Sequence, residues 1–415
     1  MSALRDLAKR FAPRGLVRKL EPLRDFLNGP GIETYVLRDY GFRADDTTRP
    51  RLTLIIPSLS AKEAFGGVTT CLDVLEALAD QVDADIRILT EAAYDPADCA
   101  LGDAMRARTR VESLAGDFVI STRQHEMFIA YNWWISINIE PVIGAQSAHF
   151  NQPRLPKIYL MQEYEPHFYE FSSAHLYANY AFNNSGGPMW GIFNASEFHA
   201  FYKMQGNQCD QAFVFEPRMA PRIRAFADDL KAEEKKRKIL VYGRPGIPRN
   251  CFTILKAGLE LWARDHGAGK DWEIVSAGMK HADIDLGNGH AIRSLGKLSL
   301  EEYGTLLRET SVGISLMASP HPSYPPLEMA HFGIRTISNA YACKDLTKRH
   351  ENITSLADIL PRTLAMTLAE EIAAAETDPG AALRAQSHMP DYLSDAPIDC
   401  IASLAGAIAG VFVRS

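Results

Sequence analysis

The sequence predicts an α/β fold built as two parallel-sheet domains that face one another across a cleft. Three observations point there. Short apolar runs bounded by polar turns alternate with stretches whose apolar residues recur at helical spacing, and the whole series occurs twice. The runs are continuous rather than alternating, which suits strands covered on both faces. Between the two series lies DDLKAEEKKRK at 228–238, charged and poor in apolar residues, the pattern of a solvated helix or linker. The expected organisation is a basic extension and lead-in over 1–50, a first domain over 51–220, a linker over 221–237, a second domain over 238–390, and closing helices over 391–415 placed to cross back to the first domain.

In order, residues 26–50 read as irregular, and Leu52–Pro57 (LTLIIP) reads as the first buried strand. Gly66 and Gly67 then precede a helix carrying Val68, Leu72, Leu75 and Leu78 at helical spacing. A strand, a glycine pair and a helix N-terminus make a cradle for an anion or sugar, although a tight turn uses the same residues. Asp85–Thr90 and Asp117–Ser121 are the next expected strands. The second runs into STRQHEM, which would set His125 at a strand's carboxyl edge as a sugar contact or proton relay, or as a structural histidine. Lys157–Gln162 leads into EYEPHFYEF, so Gln162, Glu163 and Glu165 form a candidate wall towards sugar or acceptor. Gly191–Ala195 closes the first series of strands.

Lys238–Tyr242 opens the second series, followed by the loop GRPGIPRN and a helix over 251–264. Arg244 and Arg249 flank that rigid loop, with Gly243 before it and Asn250 placed to cap the helix. Guanidinium groups at a strand's carboxyl edge suit phosphate oxygens, which they can grip with two parallel N–H donors. Trp272–Ala277 and Ala291–Leu295 are further strands, separated by the turn Gly287–Gly289, and a helix covers 303–309. From Ser311 to Asn339 comes strand, irregular loop, helix entry, the break at Gly333 and strand again. Open α/β sheets bind ligands at this edge, and Glu328 in the first helical turn is placed to accept a sugar hydroxyl. Residues 356–375 read as helix.

Several strings carry a family resemblance: MQEYEPHFY at 161–169, GIFNASEF at 191–198, FEPRM at 215–219, YGRPGIPRN at 242–250 and SYPPLEMAHFGIRTISN at 323–339. In order and spacing they resemble GT-B glycosyltransferases of family 4, most closely the bacterial rhamnosyltransferases of surface-polysaccharide synthesis. The resemblance implies a pair of Rossmann-like domains, no catalytic metal or other cofactor, and retention of anomeric configuration. It also implies a dTDP-L-rhamnose donor and a lipid-linked or polymeric glycan acceptor. Arg244 and Arg249 would face the diphosphate. Gly296, Lys297 and Leu298 would hold the base, the Ser323–Leu327 segment (Ser323, Tyr324, Pro325, Leu327) would offer amides to the phosphates, and Glu328 would take the deoxyribose hydroxyl. The family's usual pair of glutamates is incomplete, because position 320 is Pro320. A nucleotide-sugar epimerase of the same architecture and an inactive glycan-binding GT-B protein are the alternative readings.

Composition narrows the partners. A net charge of −7 argues against nucleic acid. Six scattered cysteines, without metal-ligand spacing, read as reduced thiols of a cytoplasmic protein. The acidic pairs Asp83/Asp85 and Asp283/Asp285 lack the context of a metal site, and GxSxG is absent. No apolar run reaches about 18 residues, the length of a membrane span. Residues 1–24 are basic, with Leu4, Leu7 and Phe11 on one helical face, and read either as a solvated extension or as a peripheral contact with the inner membrane face.

Overall fold

The computed structural model describes residues 37–62, 66–183, 186–268 and 271–414, so the basic stretch 1–24 lies outside the described residues. The first half forms a seven-stranded parallel sheet in the order β4-β3-β2-β6-β7-β8-β9. Its strands are β2 (Arg51–Ile56), β3 (Asp85–Thr90), β4 (Thr109–Ser113), β6 (Glu126–Ala130), β7 (Lys157–Met161), β8 (Met189–Phe193) and β9 (Gln211–Val214). β2, β6, β7 and β8 are buried at every residue, as their continuous apolar character requires. Helices α1 (Gly66–Ala79), α2 (Asp103–Arg108), α3 (Trp133–Asn138), α4 (Glu140–His149), α5 (Ser173–Phe182) and α6 (Ser196–Met204) connect them.

Two expectations fail here. Residues 26–50 are not all irregular: β1 (Gly41–Asp45) pairs in parallel with β5 (Val119–Arg123) as a separate two-stranded sheet. The strand expected at 117–121 therefore belongs outside the main sheet, and β6, bonded to both β2 and β7, takes the central place. Only Gln124 and His125 separate β5 from β6, too short a break to show in the pattern of apolar residues. A buried charge network sits where the two sheets meet. Glu126 accepts from Arg51 Nη2 at 2.6 Å, Arg87 Nη2 at 2.6 Å and the Arg123 amide at 2.9 Å, and also from the Thr53 hydroxyl.

The second sheet has the order β12-β13-β11-β10-β14-β15-β16, parallel except for the β12–β13 pair. It comprises β10 (Lys236–Gly243), β11 (Glu273–Gly278), β12 (Ile284–Gly287), β13 (His290–Gly296), β14 (Thr310–Ile314), β15 (Arg335–Asn339) and β16 (Ile353–Leu356). Its helices are α7 (Pro221–Arg224), α8 (Phe252–Asp265), α9 (Leu300–Glu309), α10 (Tyr324–His331), α11 (Pro361–Thr377) and α12 (Ala381–Arg384). The helical pattern from 356 starts late because β16 precedes it and α11 opens on Pro361.

The charged run before β10 is exposed over much of its length, as expected, but it is also fastened to the second half. Lys235 Nζ donates to the carbonyls of Leu307, Thr310 and Phe332 at 3.3, 3.0 and 2.7 Å, and burial pushes its ammonium down to about 7. Arg308 holds the same segment through the carbonyls of Phe226 and Asp228 and through Glu234. Lys235 thus closes three carbonyls at the sheet's amino edge, a pairing that composition does not reveal. After α12 the chain returns to the first half as α13 (Ile401–Arg414), where Ile401, Leu404, Ala405, Ile408 and Val411 join the core of Leu52, Leu54, Val74 and Leu75.

Candidate active site

The carboxyl edges of the two sheets meet. Glu163, just past β7, receives the Ser319 hydroxyl from the loop after β14, at 2.7 Å to each carboxylate oxygen. The Tyr324 hydroxyl, at the start of α10, lies 3.1 Å from that of Thr70 in α1. Arg349 reaches across to Glu197 at 2.6 Å and Glu216 at 2.7 Å. These contacts line one crevice with groups from both halves.

On the second-domain side, Arg249 stacks its guanidinium over the Phe168 ring at 4.4 Å. Burial pulls its pKa down while Glu163 opposes that shift, so the two charges feel each other across the crevice. Arg244, half-buried and directly after β10, adds a second positive charge beside Arg249. Arg249 Nε is buried without a hydrogen-bond partner among the described residues, as are both amide atoms of Asn250 and Nε2 of His321. The expected helix cap at Asn250 is not formed. A 3₁₀ turn over Pro248–Asn250 and left-handed Cys251 (φ 51°) delay α8 to Phe252, which leaves the Asn250 amide buried and unpaired instead.

The glycine pair lies in the crevice. A side chain at Gly66 would meet the Tyr324 ring at 3.8 Å, and one at Gly67 would meet the Tyr131 hydroxyl at 3.0 Å and the half-buried Gln162 at 3.3 Å. Gly243 has a packing reason of its own, since a Cβ there would fall 1.9 Å from Ser276 Oγ. Gly296 turns the chain after β13 with φ 74°, exposed Lys297 follows, and Leu298 packs against the second-domain core.

The amide cradle over 323–327 is narrower than expected. The Ser323 amide already donates to His321 Nδ1 at 3.0 Å, Pro325 and Pro326 have no N–H, and Leu327 is a fully buried core side chain. Of the four N–H positions at the amino end of α10, only the Tyr324 amide remains. One oxygen of Glu328 accepts the Tyr303 hydroxyl at 2.9 Å, and burial raises this carboxyl to about 7 against that hydrogen bond.

Two candidates leave the site. His125 stands at the amino edge of β6, where its carbonyl accepts from Arg51 at the start of β2, so a five-residue strand separates it from the crevice. Glu165 is buried and accepts the Trp133 amide at 2.9 Å, which ties down the start of α3. Burial raises its carboxyl to about 8. Sequence reasoning also missed His321, Ser319 and Lys344. Lys344 is 1% exposed, donates to the Met317 carbonyl at 2.8 Å, and is pushed down to about 8 by burial while Glu163 opposes the shift. Burial holds His321 neutral, down at about 4. A lysine in the loop after β15 was a legible signal by its place at a strand's carboxyl edge, whereas nothing nearby marks His321. The aspartates of the DxD strings serve elsewhere: Asp83 and Asp85 pair with Arg49, and Asp283 accepts the Ser294 amide.

Comparison with known proteins agrees with this architecture. Residues 51–196 match the family model described as WsaF, N-terminal domain, and residues 237–369 match that described as WsaF, C-terminal domain. The O-antigen biosynthesis protein RfbC of Myxococcus xanthus is 30% identical over 188 residues. That match covers 44% of this chain and spans only 14% of the relative's length. Among solved structures, sucrose-phosphate synthase from Thermosynechococcus elongatus superposes with a TM-score of 0.53 at 15% identity, over 88% of this chain and 97% of that one. WaaG, a glycosyltransferase involved in lipopolysaccharide biosynthesis, gives 0.52 at 12% identity, over 86% and 100% of the two chains. At such identities the likeness is one of fold. The two matched segments follow in the family's own order and together cover well over half of the 415 residues, so the chain belongs to the WsaF family and has the GT-B glycosyltransferase fold.

Proposed function

We propose that this chain is a glycosyltransferase that moves L-rhamnose from dTDP-L-rhamnose to a growing cell-surface polysaccharide, with retention at the anomeric carbon. The observation that carries donor binding is the pair of half-buried guanidinium groups at the second-domain edge, Arg249 and Arg244, close enough to feel each other and faced by Glu163. Breaking the anomeric C–O bond builds negative charge on the leaving diphosphate. Arg249 and Arg244, with Lys344 nearby, supply fixed positive charge there without reorganisation. The free oxygen of Glu328 serves the deoxyribose hydroxyl while Tyr303 fixes the other. The family membership and a relative named for O-antigen biosynthesis support a surface polysaccharide. The motif strings support rhamnose and dTDP. The acceptor is then a lipid-linked or polymeric glycan at the cytoplasmic face of the membrane. Among the described residues no helix is long and apolar enough to cross it.

The test is a thermal-shift panel of dTDP, UDP, GDP and their sugars, followed by transfer assays with the best donor. A ligand at a hundred times its Kd stabilises by about 2.7 kcal/mol, a readily measured shift. We expect dTDP to give the largest shift and Arg249→Met to weaken it at least tenfold. No shift with any nucleotide, or undiminished dTDP affinity in Arg249→Met, overturns the reading. Incubating the donor without an acceptor separates transfer from epimerisation, since an epimerase converts the donor alone.

A further inference from the structure

The cations and unpaired polar atoms lie on the second domain, whereas the carboxylate facing them comes from the first. Glu163 is half-buried at the carboxyl end of β7, is felt electrostatically by both Arg249 and Lys344, and accepts one hydroxyl at 2.7 Å to each oxygen. Resting on the nucleotide-sugar reading above, we propose that Glu163 is the specificity-determining acceptor for a hydroxyl of the donor's sugar, so that the first domain recognises the sugar while the second grips the diphosphate.

The argument is geometric. A diphosphate set against Arg249 leaves its sugar to fill the space towards the facing sheet edge, and Glu163 is the carboxylate that already crosses to that loop. Its two oxygens offer more acceptor sites than the Ser319 hydroxyl and the Tyr164 amide, at 3.0 Å, use. Ser319 shows that a hydroxyl fits there, and its own oxygen is held by the His321 amide at 2.9 Å. The surroundings favour a carboxylate that accepts: Arg249 and Lys344 both counter the burial that raises its pKa. A nucleoside diphosphate without its sugar would not reach this group.

The bland alternative is that Glu163 only fastens the two domains together through Ser319. Isothermal titration of the full chain with dTDP-L-rhamnose and with dTDP, and likewise with UDP-glucose and UDP, separates the two. Glu163→Gln should lower affinity for the preferred nucleotide sugar roughly tenfold to a hundredfold, the effect of losing one hydrogen bond to a charged group, and leave the matching diphosphate within about twofold. Glu163→Ala should behave alike, and Ser319→Ala, which keeps the carboxylate, should leave the ratio of the two affinities unchanged. Equal weakening of both ligands by Glu163→Gln, no weakening, or a Ser319→Ala variant that reproduces the loss overturns the proposal. Nucleotide binding by the wild type with a ratio insensitive to position 163 refutes this inference alone. A wild type that binds no nucleotide at all removes the nucleotide-sugar reading and this inference with it.

Discussion

Removing the carboxylate of Glu126 should damage the first domain far more than a typical substitution. The side chain is fully buried, and the Arg51 and Arg87 side chains it joins are 3% and 1% exposed. Burial already pulls the Arg87 guanidinium below its ordinary value, with Glu126 as the leading opposing charge. In Glu126→Ala two guanidinium groups stay buried with their shared anion gone, and the Arg123 amide loses its acceptor as well. Breaking a buried ion pair from one side costs about 3–5 kcal/mol. For a domain of this size each kcal/mol lowers Tm by about 2–4 °C, so a fall of about 6–20 °C is expected. Scanning calorimetry of the full chain reads the shift, and hydrogen exchange at β6 assigns the transition to the first domain. A companion variant sharpens the test: Arg51→Met, Arg87→Met and Glu126→Leu together should melt near or above the wild type, because apolar groups of similar volume avoid the desolvation cost. A fall of less than about 3 °C in Glu126→Ala, or a triple variant as unstable as the single one, would refute the reasoning.

Glu165→Gln should change the pH dependence of stability. Its carboxyl is raised to about 8 in the fold from an ordinary value of 4.5, so between those values the folded state holds more protons than the unfolded one, and stability falls as pH rises. The variant should match the wild type at pH 4 and melt higher at pH 8; equal melting at both pH values counts against it. Leu404→Ala should cost about 2–5 kcal/mol and lower the melting of the first domain rather than the second, since Leu404 is fully buried in the first core. Gly243→Ala should cost about 1–3 kcal/mol because its Cβ meets Ser276 Oγ, and adding Ser276→Gly should recover most of that loss in a thermal melt.

Strands covered on both faces were the most legible part of the chain. Leu52–Ile56 and Asp85–Thr90 are runs of strand length rich in isoleucine and leucine, and the pattern located them to within a residue or two. β6 escaped because its apolar residues lead straight on into the aromatic start of α3, and a two-residue turn parts it from a strand of a different sheet. The Arg244–Arg249 loop and the Gly66–Gly67 pair could be placed because strand ends define the crevice edge. Partner choice was illegible. Glu163 and Glu165 sit two residues apart in one motif, yet one meets Ser319 across the crevice and the other an amide in its own domain. That difference is set by which way each side chain leaves the end of β7, and by segments more than thirty or a hundred and fifty residues away. Lys235 misled for the same reason: among lysines and glutamates it reads as solvated, and only the folded chain brings three carbonyls to it.

The return of α13 to the first core ties that half to a segment translated much later. While the chain grows on the ribosome, the β2–α1 layer emerges early but keeps Val74 and Leu75 short of their covering helix until Ile401–Val411 have left the exit tunnel. The first half should therefore complete its core only after the second has been synthesised, and its late covering helix should make full folding of the first half depend on the end of the chain.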